Sequence, residues 1–211
     1  MGLDGIGSRE DDGVVVLSER PDGIRIIRVE SLDDGLQYRT SFAGAYQDIF
    51  SEAPYHERFR PSEAMGVLRN SLETPEQITV LAVKGRSRVV GFGIGVPAKS
   101  MVGIRRALMG LLPANQTWYL AELGVLSSYR RCGLGTELIK RRLQLIDRDR
   151  YSQAVLRVSS TRDHIYDLYM GLGFEDTGCY MEVASRRLTG RVATDRRVFL
   201  SKVLTSRDGE E

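Results

Sequence analysis

The stretch Tyr129 to Leu138 reads Y-R-R-C-G-L-G-T-E-L, and the rest of the chain can be placed outward from it. Arg130, Gly133 and Gly135 form an R-x-x-G-x-G element that follows an apolar run, Leu120 to Leu126, and precedes an amphipathic segment. Where a strand turns into a helix, the first helical N–H groups lack carbonyl partners and face outward as an anion site. Glycines at alternate positions let a phosphate approach the main chain and permit φ > 0. The element therefore reads as a pyrophosphate cradle.

Downstream, Leu134, Leu138 and Leu145 with Ile139, Leu143 and Ile146 mark the inner face of a helix, and Glu137, Lys140, Arg141 and Gln144 its outer face. Ala154 to Val158 is the next strand, so strand, helix and strand predict a parallel crossover centred on the cradle. Thr161 or Asp163 can cap a further helix carrying Ile165, Leu168, Tyr169 and Leu172 on one face, which Gly173 closes. Phe174 opens a last pair of strands, Cys179 to Ala184 and Val198 to Leu204, with a basic loop between them.

Upstream, Trp118 to Leu126 is the strand feeding the cradle, and Pro97 to Thr117 lacks a period. That segment is expected as a long, mobile excursion with a helical turn around Arg105 to Leu112. Ile78 to Val83 and Val89 to Val96 predict a hairpin through Lys84-Gly85-Arg86-Ser87. Gly91, Gly93 and Gly95 leave one side of its second strand bare, suited to close approach by a ligand or a neighbouring backbone. Val14 to Leu17 and Ile24 to Val29 read as strands about the turn Pro21-Asp22-Gly23. Ser31 and Asp34 resemble a capping box, predicting a helix of about 15 residues with Leu36, Phe42, Ala43, Tyr46, Ile49 and Phe50 inward. A loop rich in aromatic and charged groups, Ser51 to Pro61, precedes a short helix with Met65, Leu68 and Leu72 on one face.

The 211 residues are enough for one self-sufficient core. Residues 1–23 are expected as a leader with an extra N-terminal strand, 24–205 as a single domain and 206–211 as a frayed tail. No run approaches the roughly 20 apolar residues that span a bilayer. Two cysteines, Cys132 and Cys179, sit in no metal-ligand or redox spacing, which fits a reducing, cytoplasmic setting without a metal. A net charge of +2 does not by itself imply nucleic acid. The basic clusters Arg130–Arg131, Lys140–Arg142 and Arg186–Arg197 are expected mostly as solvated faces.

The order of elements, with the blocks V-L-S-S-Y-R-R-C-G-L-G-T-E-L-I and I-Y-D-L-Y-M-G-L-G-F, resembles the GNAT superfamily of N-acyltransferases over about Ile24 to Leu204. The resemblance implies an α/β fold with a central mixed, splayed sheet flanked by helices. It also implies acetyl-CoA, or another acyl-CoA, as donor and a primary amine of a small molecule as acceptor. Arg130, Arg131, Cys132, Gly133, Leu134, Gly135 and Thr136 would then hold the pyrophosphate, and Val125 and Leu126 would present main-chain groups to the pantetheine arm. Tyr169 stands at the family's general-acid position, where a phenol can protonate the departing thiolate. Glu122, on the feeding strand, is a candidate base; Tyr119, His56 and Glu57 are others, and water could serve instead. Tyr46, Tyr55, Phe59, Trp118 and Tyr119 could line an acceptor cleft, two or three of them touching substrate.

Two positions depart from the family pattern. Arg162 replaces a common asparagine, and Arg157 stands where some relatives carry a glutamate base. An arginine cannot act as that base. It could hold a carboxylate or phosphate of the acceptor, or pair with Glu122 or Glu182, the simpler expectation. The same fold can take aminoacyl-tRNA or carrier-protein thioesters as donor, or serve as a non-catalytic acyl-CoA sensor. The acceptor's identity stays open, as does a homodimer.

Overall fold

The computed structural model describes residues 8–9, 14–161 and 164–205. The expected tail, most of the first 13 residues, Arg162 and Asp163 lie outside the described residues. The chain divides into two compact units, one of residues 1–49, 59–94 and 122–142, the other of residues 50–58, 95–121 and 143–211.

In the first unit the strands follow the order β1 (Ser8–Arg9), β2 (Val15–Glu19), β3 (Ile24–Val29), β4 (Ile78–Lys84), β5 (Arg88–Pro97) and β6 (Thr117–Val125). β5 and β6 each run on into the second unit. β2 and β3 pair antiparallel about the expected turn, where Gly23 adopts φ +73 and its N–H donates to the Arg20 carbonyl at 2.9 Å. β2 falls within the segment 1–23 expected as a leader. β3 pairs with β4 from Ile24↔Lys84 to Val29↔Thr79 and is fully buried at Ile24, Ile26, Ile27 and Val29.

The Ser31–Asp34 capping box forms, but its helix, α1 (Leu32–Gly35), stops after one turn and α2 (Arg39–Ser51) starts afresh. The single helix of about 15 residues is thus broken. A Cβ on Gly35 would lie 2.6 Å from Leu72 of α3 (Pro61–Glu73), and Tyr38, fully buried, donates its N–H to the Gly35 carbonyl. Leu36, expected inward, is 53% exposed because the chain turns there. Beyond the break, Phe42 and Tyr46 of α2 pack on Phe92 of β5, with ring centroids 4.9 and 5.5 Å apart.

In the second unit β6 pairs in parallel with β7 (Gln153–Ser159) from Thr117↔Gln153 to Leu120↔Leu156. β7 pairs antiparallel with β9 (Val192–Val203), and β9 with β8 (Glu175–Arg186). The last two strands are longer than expected, and β8 alternates half-buried and exposed residues. Within the expected excursion Pro97 to Thr117, a few apolar residues of 98–116 are anchored while most of that stretch is exposed. A 3-10 turn at Ala98–Ser100 and α4 (Val102–Ala107) bring Ala98, Ile104 and Leu108 into a buried cluster with Val96, Tyr119, Val155 and Phe199. Two apolar residues four apart suffice once a sheet face receives them. The fold is a mixed α/β one, its sheet carrying parallel and antiparallel pairs and flanked by helices.

Candidate active site

The cradle is built where β6 ends. Leu126 donates its N–H to the Val90 carbonyl at 3.0 Å, a 3-10 turn spans Ser127–Tyr129, and α5 (Leu134–Gln144) begins after Gly133. Arg131 (φ +60) and Gly133 (φ +82) take left-handed conformations that reverse the chain. Glu137 N–H reaches the Gly133 carbonyl at 3.0 Å, so the amides of Leu134, Gly135 and Thr136 precede the first intrahelical bond and face outward. A Cβ on Gly133 would meet nothing within 4 Å, and one on Gly135 only Val125 at 3.9 Å. The main-chain face of the turn is open, and its donors and dipole fit a phosphate.

Side chains brace the turn from beneath. Arg130 Nε donates to the Val125 carbonyl at 2.8 Å, and Cys132 Sγ, exposed and reduced, to the Tyr129 carbonyl at 3.0 Å. Arg20 donates through Nη2 to the Cys132 carbonyl at 2.8 Å and through Nη1 to Glu137 Oε2 at 2.6 Å. Its hydrogen bond to Glu137 raises its pKa. Ser18 Oγ donates to the other Glu137 oxygen at 2.7 Å. Neither Ser18 nor Arg20 is predicted by the sequence, since their partners lie more than a hundred residues away. Leu126 needs correction as a main-chain partner of the cofactor arm, because its N–H is already spent on Val90. By alternation along the strand, Val125 and Leu123 turn their amides away from β5.

The bare glycine side of β5 is filled by protein, not by ligand. Gly93 faces Arg142, whose Nε lies 2.6 Å from a notional Cβ; Gly91 faces the Gly124 carbonyl at 3.1 Å, and Gly95 the Trp118 Nε1 at 2.4 Å. Arg142, expected in a solvated basic cluster, is 0% exposed. It donates to the carbonyls of Leu138 (3.3 Å), Ile94 (3.0 Å) and Glu122 (2.9 Å), tying α5 to β5 and β6. The half-buried Glu122 side chain receives the Tyr46 hydroxyl at 3.4 Å.

In the second unit, α6 (His164–Gly171) buries Tyr166 and Tyr169, whereas Ile165 and Leu168 are only half-buried. Tyr169 is 3% exposed, packs edge-on against Phe174 at 5.3 Å, and accepts the Phe174 N–H at its carbonyl; Gly173 (φ +80) closes the helix. Trp118, expected in an acceptor cleft, is 2% exposed and packs edge-on against Tyr151, a core position. Tyr119 is also buried, but its hydroxyl accepts Arg157 Nε at 2.8 Å. The half-buried Tyr55 lies under the Arg197 guanidinium at 4.6 Å. Glu57, a candidate base, is held by Arg197 at 2.8 Å, and His56 is exposed. That loop docks on the β8–β9 hairpin through Arg58 N–H to the Arg186 carbonyl (2.7 Å) and Leu188 N–H to the His56 carbonyl (3.0 Å).

An α/β fold with an open, amide-lined turn at a helix start suits a phosphate-bearing cofactor, and likeness to known proteins is more specific. The model of the Acetyltransferase (GNAT) family matches residues 40–174, more than half of the chain. The chain belongs to this family. It is similar in fold to an N-acetyltransferase from Staphylococcus aureus Mu50 (TM-score 0.59, 11% identity, 85% of this chain and 99% of that one). The Salmonella typhimurium protein yncA, solved with its cofactor acetyl-CoA, gives a TM-score of 0.60 at 16% identity, with 87% and 95% covered. The ribosomal-protein-S18-alanine N-acetyltransferase of Escherichia coli gives 0.58 at 13% identity, with 86% and 94% covered. No curated protein sequence matches the chain. The family uses acyl-CoA as donor, and acyl transfer to an amine is its general reaction. Among the described residues no helix is long and apolar enough to cross a membrane.

Gly133→Val tests the cradle. The left-handed φ disfavours a branched side chain, and its bulk would enter the open face. Calorimetric titration with coenzyme A should show at least about a tenfold loss of affinity, roughly the 1.4 kcal/mol that one anion-binding amide contributes. Equal affinity would place the pyrophosphate elsewhere.

Proposed function

We propose that the chain is an N-acyltransferase that moves an acetyl or other acyl group from acyl-CoA to a primary amine of a small molecule. The observation that carries this is the open amide turn at the start of α5, braced from below by Arg20 and Glu137. Leu134, Gly135 and Thr136 hold the pyrophosphate through main-chain N–H groups, with Arg130, Arg131, Cys132 and Gly133 shaping the turn and Val125 presenting its amide to the pantetheine arm.

The donor, when bound, supplies a thioester whose C–S bond is exchanged for a C–N bond. Glu122 takes a proton from the incoming ammonium so that its nitrogen carries a lone pair. Tyr169 delivers a proton to the departing sulfur. The domain over 24–205 contains all of these groups.

The reading is tested by incubating the purified chain with acetyl-CoA and a panel of primary amines, following thiol release and product mass. Amine-dependent thiol release with one acetyl added per thiol is expected. Tight acetyl-CoA binding without product would instead mark a sensor. Binding of aminoacyl-tRNA that weakens steeply with salt, without coenzyme A binding, would replace the donor.

A further inference from the structure

On one face of the second unit's sheet, two arginines lie in very different electrostatic surroundings. Arg157 registers opposite Phe199, and Ser159, two residues on, opposite Arg197; Met181 of β8 registers opposite Arg197 from the other side. These side chains therefore share a face. Arg197 is neutralised by Glu57 at 2.8 Å and Asp195 at 3.5 Å, and Arg187 pairs with Asp195. Arg157 pairs with no carboxylate among the described residues. Its Nε donates to the Tyr119 hydroxyl at 2.8 Å and its Nη1 to the Met181 thioether sulfur at 3.0 Å, and neither is an anion.

The expected partners do not serve. Glu182 follows Met181 in β8 and so points from the opposite face, exposed, while Glu122 is engaged by Tyr46. Arg157 is half-buried, and a guanidinium removed from water without a counter-charge is costly. The two contacts lock its orientation and leave the other N–H donors of its planar fork for a further acceptor. Such a fork matches the two oxygens of a carboxylate.

We propose that Arg157 is the anchor for a carboxylate on the acceptor, so that the acceptor is an amine that carries a carboxylate, such as an amino acid. The single uncompensated positive charge matches a monoanion better than a phosphate dianion. The proposal rests on the acyltransferase reading and names its substrate class. Tyr119 and Met181 are positioning residues, which fix the guanidinium without neutralising it.

The test uses the full chain with acetyl-CoA and matched amines that differ only at the acid: an amino acid, its amide, its decarboxylated amine and the corresponding aminophosphonate. The wild type should favour the amino acid over the neutral members by about 10- to 100-fold in kcat/KM, the range of one charge-assisted hydrogen-bonded pair. Arg157→Gln should remove that preference by raising KM for the amino acid. Arg157→Lys should restore part of it, and equal melting temperatures would separate the effect from misfolding. Turnover in which wild type and Arg157→Gln show the same preference would overturn the proposal and leave the acyltransferase reading intact. A preference for the aminophosphonate would overturn the carboxylate assignment. If no amine is acylated, amino-acid binding followed by NMR decides: affinity lost in Arg157→Gln keeps the anchor and discards the transfer reaction, and no binding discards both.

Discussion

Replacing Arg142 with alanine is expected to lower the unfolding free energy by about 3–5 kcal/mol. The guanidinium is fully buried and is shared among the carbonyls of Leu138, Ile94 and Glu122. Truncation removes its stem from the core and strands two strand carbonyls away from water, each worth about 1–3 kcal/mol when left unsatisfied. Arg142→Met should recover part of the loss by filling the volume, to about 2 kcal/mol below wild type. Gly93→Ala attacks the same contact from the opposite side, since its Cβ would sit 2.6 Å from Arg142 Nε. It should cost about 2–3 kcal/mol in the wild type. In the Arg142→Ala background it should cost well under about 1 kcal/mol, a strong coupling in a double-mutant cycle. Urea denaturation measures the wild type and all four variants. A loss below about 1 kcal/mol for Arg142→Ala, or additive effects, would mean that the arginine is a passenger in the core. Because Arg142 holds the main chain of Glu122, the partly destabilised Arg142→Met should also lose activity out of proportion to its unfolded fraction.

Changing Tyr169 to phenylalanine is expected to lower kcat by about a hundredfold or more, the range in which a positioned general acid acts. The ring is 3% exposed and packs edge-on against Phe174, a contact that phenylalanine reproduces. Melting temperature should therefore hardly change. Coenzyme A affinity should stay within about twofold, since the cradle amides belong to α5 and the phenol adds nothing to them in the ground state. Rapid-quench or thiol-release kinetics under chemistry-limited conditions read the effect. An unaltered kcat would remove Tyr169 from the reaction and leave it as a core aromatic of α6.

Local patterns carried far. The hairpin about Pro21-Asp22-Gly23, the Ser31–Asp34 capping box, the inner face of α5 and the Gly173 helix end all depend on residues a few positions apart, and each forms as expected. Where expectation and structure part, a distant partner decides. Gly35 under Leu72 breaks a helix whose periodicity runs on without interruption. Ile104 and Leu108 order a segment with too few apolar positions to show a period of its own. Three glycines of β5 read as room for a ligand or a neighbouring backbone; Arg142 and Trp118 stand against Gly93 and Gly95, and the Gly124 carbonyl against Gly91.

The sequence by itself determined the α/β crossover, the strand-to-helix glycine turn at Arg130, Gly133 and Gly135, and the position of Tyr169 after it, because each is written in short-range spacing that backbone geometry obliges. Only the tertiary structure decided that Arg142 is a buried strut and Arg20 a brace. It also decided that Arg157 faces a phenol and a thioether, with no carboxylate paired to it among the described residues. A charge's role depends on which residues, tens of positions away, the fold brings within a few ångströms of it, and residue spacing along the chain carries no trace of that.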